Sequence, residues 1–437
     1  MKNKIILLSL SFIVLIPGFV LAEELLTLEA SIEIAIKNSV IIHSAREGVK
    51  AATAYKQEAV TGFLPRFNTS YNYTRLSEAP FMRLPAPLPP EVKAGTRNNY
   101  NWAIEATQPV FTGGALVANY QASKIGEAAA RMEETARIQD VVQDVKIAYF
   151  DVLRTQEIKG TAEQSVAMLV AHRDVARNYF DVGMIPKNDL LHAEVELANG
   201  RQALIKAQNA LEFTGSRFNT ILKRRLSEPV RIAGLLQYVP FEKKMDECLK
   251  TAAENRPELK VAILKAEQAG KLVQAARSEY LPTLSLVGNY TRFGDNPSVS
   301  GSDYKDAENW YIMGVANWNF WEWGKTKFRV EANRAKENQA LDAAKELNDQ
   351  IALEIKNAYL LLQEAETQIA VSEKVIEQAE ENFRIASERF KERVATSTDV
   401  LDAQTLLTRA RAEYANSLAD YNISCAKLER AMGVLRR

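Results

Sequence analysis

The chain has 437 residues, 47% of them hydrophobic, and its 55 Lys+Arg balance 55 Asp+Glu to a formal net charge of zero. That balance gives no electrostatic reason to bind nucleic acid. Beyond the N-terminus no stretch reaches about 18 consecutive apolar residues, so a helical span in the mature chain is not expected.

In chain order, Lys2 and Lys4 precede the apolar run IILLSLSFIVLIPGFVLA, which ends in Val20-Leu21-Ala22 before two glutamates. Small residues near a short apolar core read as a signal peptide, 1–22, and therefore as export. The competing reading, an uncleaved anchor, is opposed by the short core and the missing stop-transfer flank. The two cysteines, Cys248 and Cys425, do not make a disulfide framework, although export permits a bridge. Two unpaired, buried thiols are the simpler reading.

The remainder is duplicated. FLPRFNTSYNYTR (63–75) and YLPTLSLVGNYTR (280–292) share Leu-Pro near the start and Asn-Tyr-Thr-Arg at the end. Upstream, AIKNSVII aligns with AAENRPEL, Asn38 on Asn255. Downstream, KNDLLHAEVELANGR aligns with STDVLDAQTLLTRAR. The first repeat spans 23–225, a linker occupies 226–241, and the second repeat spans 242–437. Each repeat reads helix, strand, loop, strand, long helix, turn, helix. The first helices are expected over 28–62 and 241–280, the strands near 66–76, 100–111, 283–293 and 310–320, and the long helices over 115–180 and 325–392. At 1.5 Å rise per residue a 65-residue helix is about 100 Å long. The two repeats differ in length only between their strands. There the first carries APFMRLPAPLPPEVKAG, whose prolines forbid a helix or central strand and favour an exposed, extended loop.

The closing helices carry a heptad. Leu190, Leu197, Leu204 and Leu211 form one seam, with Ala193, Gly200 and Ala207 beside it. In the second repeat Val400, Leu407, Tyr414 and Tyr421 run beside Ala403, Ala410, Ser417 and Ser424. A sustained seven-residue period means left-handed coiling, with small residues permitting close approach. A structural rod would carry the same pattern.

The strands alternate. Phe67, Thr69, Tyr71 and Tyr73 oppose Asn68, Ser70, Asn72 and Thr74. Leu284, Leu286, Gly288 and Tyr290 oppose Ser285, Val287, Asn289 and Thr291. Trp102, Ile104 and Ala106 oppose Ala103, Glu105 and Thr107, and Ile312, Gly314, Ala316 and Trp318 oppose Met313, Val315, Asn317 and Asn319. An apolar face against a polar one suits a barrel with lipid outside and water inside, and equally the edge of a soluble sandwich. Trp102, Phe111, Trp310, Trp318, Trp321 and Trp323 cluster at strand ends, where they form a candidate interfacial belt or an ordinary core cluster. Four strands cannot enclose a pore, since membrane barrels use about eight or more. Two chains would give a nearly filled interior, whereas three would leave an open lumen, and three is the favoured number.

In the combination of these features the chain resembles the TolC-like outer-membrane efflux family (the outer membrane factors). The resemblance rests on the repeated plan, on Leu64-Pro65 and Leu281-Pro282, on QPVFTGG and WNFWEWG, on VGMIPKNDLLHAE and RVATSTDVLDAQ, and on LERAMGV. It implies a mainly α fold with a small β part: duplicated helix-strand-strand-helix units, long antiparallel coiled-coil helices in a trimeric α-barrel, and four strands per chain in a shared 12-stranded transmembrane β-barrel. It further implies a homotrimer in outer-membrane lipid with a long periplasmic portion, in a Gram-negative cell, and an equatorial position for the linker. The implied role is a passive exit duct of a tripartite efflux or type I secretion system, joined through a periplasmic adaptor (membrane fusion) protein to an inner-membrane pump. The alternative from another class is a periplasmic coiled-coil scaffold or adaptor of an export complex.

Candidate chemistry is sparse. His43, His172 and His192 have no repeating ligand partner, WGKT at 323–326 lacks the glycine spacing of a phosphate loop, and neither GxSxG nor HExxH occurs. No enzyme activity, metal, cofactor or nucleic acid is expected. The two helix–turn–helix tips are the candidate site: Val182, Gly183, Met184 and Ile185 in the first, Arg393, Val394, Ala395 and Thr396 in the second. By resemblance they dock the adaptor and gate the entrance. Asp189 and Asp399 are candidate entrance acids, or simply carboxylates near helix N-termini. The resemblance places a basic residue where Ala395 stands, with Arg389 and Arg393 as possible substitutes.

Overall fold

The fold was taken from a computed structural model, which describes residues 25–434. The expected signal peptide lies outside the described residues.

Helices α1 (Leu28–Asn38) and α2 (Val40–Thr61) are followed by strand β1 (Arg66–Arg75), the short strands β2 (Phe81–Arg83) and β3 (Glu91–Lys93), and β4 (Asn98–Phe111). Then come α3 (Ala115–Asp181) and α4 (Lys187–Leu222). The second repeat supplies α5 (Met245–Asn255), α6 (Pro257–Arg277), β5 (Thr283–Gly294), β6 (Glu308–Asn317), α7 (Lys325–Lys391) and α8 (Ser397–Ala431).

Three local expectations need correction. The continuous helix expected over 28–62 breaks at Ser39, which is extended (φ −65°, ψ 122°) and accepts the Ile42 N–H at 3.4 Å, as an N-cap does. Its counterpart breaks at the aligned place. Arg256 is extended (φ −61°, ψ 114°) because Pro257 opens α6, and a proline disfavours the helical conformation in the residue before it. Second, the proline-rich excursion is not wholly irregular: β2 and β3 pair antiparallel, Phe81 opposite Lys93 and Arg83 opposite Glu91. The prolines at 85, 87, 89 and 90 fall in the turn between them, where no ladder N–H is needed. Third, the last strand closes at Asn317 rather than near 320. Its partner β5 begins at Thr283, opposite Asn317, and the preceding Pro282 offers no N–H to extend the ladder.

The main sheet is antiparallel in the order β1-β4-β5-β6, so β4 and β5 join the two repeats at its centre while β1 and β6 are edges. The register decides which residues share a face. Phe67 lies opposite Ala106, Ala106 opposite Gly288, and Gly288 opposite Ile312. The next row runs Thr69, Ile104, Tyr290, Trp310. The other face carries Asn68, Glu105, Asn289 and Tyr311 in one row and Ser70, Ala103, Thr291 and Asn309 in another. The four apolar sets read from alternation therefore fall on a single face.

The chain forms two compact units, and they cut across the repeats. Of the described residues, one comprises 25–37, 145–238 and 371–419; the other comprises 38–144, 239–370 and 420–434. Each draws on both halves of the sequence.

The first unit is held by the heptad seams. Leu169, Leu197 and Leu401 form one buried cluster, Ala176, Leu190 and Ala193 a second, and Ala379, Leu407 and Ala410 a third. Burying a leucine side chain is worth about 1.5–3 kcal/mol, which favours this spacing over an exposed one. Gln404 donates to the Ser165 carbonyl at 2.9 Å, tying helices of different repeats, and the Ser372 hydroxyl donates to that of Ser417 at 3.3 Å, tying α7 to α8 within the second. The linker is tethered to the chain start: Leu26 N–H donates to the Arg231 carbonyl (2.9 Å), and Ala233 N–H to the Leu26 carbonyl (3.0 Å).

The second unit holds the sheet and a cluster of buried arginines. Arg430 donates through Nε (2.8 Å) and Nη2 (2.6 Å) to Asp140 and also pairs with Glu258. Arg256 pairs with Glu354 at 2.8 Å and donates to the Ala431 carbonyl at 2.9 Å, closing the end of α8. At the strand-to-helix junction Gly113 has φ +63°, and a Cβ there would meet the Ser278 carbonyl oxygen at 2.4 Å, so only glycine fits. Neither cysteine is in a disulfide. Cys248 is buried as expected, whereas Cys425 is half-buried.

Candidate functional site: hairpin tips and sheet faces

The α3–α4 tip begins where α3 stops at Asp181. Gly183 takes φ +71°. Its N–H donates to the Phe180 carbonyl and the Met184 N–H to the Tyr179 carbonyl, both at 2.8 Å. These two bonds are the Schellman closure of a helix end, which needs a left-handed residue at that position. Pro186 then precedes α4 in extended conformation. Val182 and Met184 are exposed, whereas Ile185 packs with Phe180 on the buried Ala176–Leu190–Ala193 cluster. Asp189 sits half-buried in the first turn of α4.

The α7–α8 tip repeats this closure with a different residue. Arg393 N–H donates to the Phe390 carbonyl (3.1 Å), Val394 N–H donates to the Arg389 carbonyl (2.8 Å), and Arg393 itself has φ +65°. Val394 is exposed and Ala395 half-buried. Arg389 reaches back to the Val394 carbonyl at 3.4 Å, so one of the two arginines near Ala395 is spent on the turn itself. Thr396 and Asp399 form a reciprocal capping box. The Thr396 N–H and hydroxyl both donate to Asp399 Oδ2 at 2.8 Å, and the Asp399 N–H donates back to the hydroxyl at 3.2 Å. The backbone N–H and hydroxyl of Thr396, aided by Arg389, hold the Asp399 carboxyl below its ordinary range. Asp399 is thus, as one of its two readings had it, a carboxylate at a helix N-terminus, and it caps that helix through Thr396.

His172 is a residue that sequence reasoning leaves as merely structural. It is buried under the second tip, its Nε2 lies 2.8 Å from the Ser397 hydroxyl, and its ring packs on Phe390, which also meets Tyr179. Burial holds its pKa below the ordinary histidine value. It therefore ties the start of α8 to α3, across a sequence separation that no local pattern reveals. His43 is exposed beside Glu47.

Of the aromatic set, Trp102 and Trp310 stand on the apolar face of the sheet, and Trp102 Nε1 donates to Thr69 at 3.1 Å. Phe111 ends β4. Trp318, Trp321 and Trp323 lie in the β6–α7 junction; Trp318 donates to the Tyr280 carbonyl at 3.2 Å, and Trp321 and Trp323 meet edge to face at 5.7 Å. Trp310 is 68% exposed, Trp321 67% and Trp323 85%. These residues do not form a core cluster: among the described residues nothing covers Trp310, Trp321 or Trp323, and Trp102 meets only its neighbours on the sheet. Among the described residues no helix is long and apolar enough to cross a membrane, and no group of acidic, His or Cys side chains could hold a metal ion.

A profile of the family described as Outer membrane efflux protein matches residues 31–214 and 248–434, once on each repeat. The chain belongs to the outer membrane efflux protein family. This bears out the resemblance read from the repeated motifs. Within the family, the chain is similar to the outer membrane efflux protein BepC of Brucella suis, 22% identical over 407 residues, covering 93% of this chain and 85% of that one. Among solved structures it is similar to the CmeC outer membrane channel of Campylobacter jejuni (TM-score 0.78, 18% identity, 93% of this chain and 85% of that one). It is also similar to the outer membrane protein VceC of Vibrio cholerae (TM-score 0.76, 16% identity, 93% and 96%). The mainly helical fold with a small sheet is that of these two outer membrane proteins.

Proposed function

We propose that this outer membrane efflux protein is a passive exit duct of a tripartite efflux or type I secretion system, closed by three copies of the chain in the outer membrane of a Gram-negative cell. The observation that carries this reading is the open four-stranded sheet, with one apolar, exposed face and one polar face, and with two unpaired edges. In hydrocarbon every backbone N–H and C=O must be paired, so an open edge cannot stand in lipid. Adding β1 of one copy to β6 of the next removes both edges, and three copies give twelve strands, wide enough for a water-filled lumen. Phe67, Ile312 and Trp310, all about 70% exposed in the single chain, then meet lipid, and the exposed tryptophans of the β6–α7 junction suit the interface.

The hairpin tips, with Val182, Met184 and Val394 exposed on hydrogen-bonded turns, dock a periplasmic adaptor that links the duct to an inner-membrane pump, and they gate its entrance. Asp189 and Asp399 from three chains place six carboxylates near that entrance. No reaction is performed: solute moves through the lumen and the pump supplies the work.

Planar-bilayer recording of the detergent-extracted protein tests this. Trimers that insert and conduct ions are expected. Monodisperse single chains that stay soluble without detergent would instead support the coiled-coil scaffold.

A further inference from the structure

The polar face of the sheet is nearly uncharged, and its exceptions sit together. Among the described residues of the four main strands, Asn, Ser and Thr dominate that face; its one acid is Glu105 and its one base Arg66. They occupy neighbouring rows: Arg66 lies opposite Thr107 and Glu105 opposite Asn68. No ion pair joins them. Glu105 instead accepts a 3.5 Å hydrogen bond from Thr107 and stands between Asn68 and Asn289. All three charges of the region, Glu58 from the end of α2 together with Arg66 and Glu105, line a cavity of about 980 Å3 at the foot of the sheet.

We infer that Glu105 is a selectivity-determining residue of the duct, the main contributor to a net-negative collar that favours cationic over anionic solutes. The inference rests on the trimeric-duct reading, in which this face lines the lumen. Two carboxylates against one guanidinium leave each chain one negative charge in excess at this level, and the threefold repeat makes that a ring. Rings of carboxylates select cations because the low-dielectric wall focuses their field into the lumen. The field reaches about 10 Å at 0.1 M salt and only about 3 Å at 1 M, so the preference is expected to fade in concentrated salt. Glu105 dominates because it stands on a strand within the wall, whereas Glu58 lies on a helix below it.

The experiment is a reversal-potential measurement on single channels in a KCl gradient, with wild type, Glu105→Gln, Glu105→Lys and Arg66→Gln. Wild type is expected to prefer potassium, Glu105→Gln to lower the potassium-to-chloride permeability ratio by roughly twofold or more, and Glu105→Lys to lower it further or invert it. Arg66→Gln is expected to raise the ratio. Channels that conduct with the same reversal potential in all four proteins would overturn the collar while leaving the duct reading intact. Trimers that never conduct, wild type included, would overturn the duct reading, and the collar with it.

Discussion

Gly183 and Arg393 occupy the same position in the two hairpin tips, and both are left-handed, at φ +71° and +65°. Each donates the inner bond of the same helix closure. A glycine adopts that conformation without strain, whereas an ordinary L-residue gives up about 1 kcal/mol or more. The second tip is therefore the less stable of two turns with the same geometry. In the proposed duct, the tip more easily remodelled belongs to the second repeat.

This asymmetry sets the first prediction. Arg393→Gly should stabilise its tip, by about 0.5–1 kcal/mol, and Gly183→Ala should destabilise the other by about 1 kcal/mol although the space beside Gly183 is open. Amide exchange at Met184 and Val394 reads both. Equal exchange in wild type and variants would show that neither turn depends on the left-handed residue.

A second prediction concerns acid. His172 is held neutral by burial, so the unfolded chain takes up a proton near pH 6.5 while the folded chain still resists. Its contribution to stability is complete above that pH and declines as pH falls through and below it. The Asp399 carboxyl, depressed by the Thr396 bonds, acts in a lower window: its contribution is present above its ordinary pKa of 3.8 and is lost only below that. Thermal unfolding between pH 7.5 and 5.5 should therefore show a downward slope that His172→Phe reduces and Asp399→Asn leaves in place. An unchanged slope in His172→Phe would show that the histidine does not set it.

The third prediction tests the arginine cluster that closes the chain's end. Burial pushes the Glu258 carboxyl up, but the hydrogen bond and charge of Arg430, with Arg256 nearby, outweigh it and hold the group ionised. Replacing Arg430 with Met leaves Asp140 and Glu258 without their shared cation. Because both acids are partly exposed, the cost should be about 2 kcal/mol rather than the larger figure for a fully enclosed pair. Adding Glu258→Gln should recover part of it. A double variant no more stable than Arg430→Met would mean the arginine acts through packing alone.

Much of the fold and of the tips is legible in the sequence, for specific reasons. The heptads at Leu190–Leu197 and Val400–Leu407 report buried seams because apolar residues seven apart fall on one stripe of a helix, and such a stripe must be covered. The strand faces are readable because alternation is a local property, and the register then aligns all four sets. Thr396 and Asp399 announce their cap by spacing. The break at Arg256 has a sequence signal in Pro257, whereas that at Ser39 has no proline, and a single extended residue there hardly disturbs a helical pattern. The pairing of β4 with β5 and the His172–Ser397 contact lie beyond reach because both join the repeats, and alternation and spacing carry no information about partners so distant. Arg393 hides for another reason: arginine is not a turn former, and only its alignment with Gly183 betrays its conformation.

The bare edges of β1 and β6 also govern heredity. In the proposed cylinder a subunit with a spoiled edge does not merely drop out; it leaves a seam open between two sound companions. Mixed expression of intact and edge-defective copies should thus silence far more ducts than the defective share alone, so lesions in these two strands would behave as dominant ones.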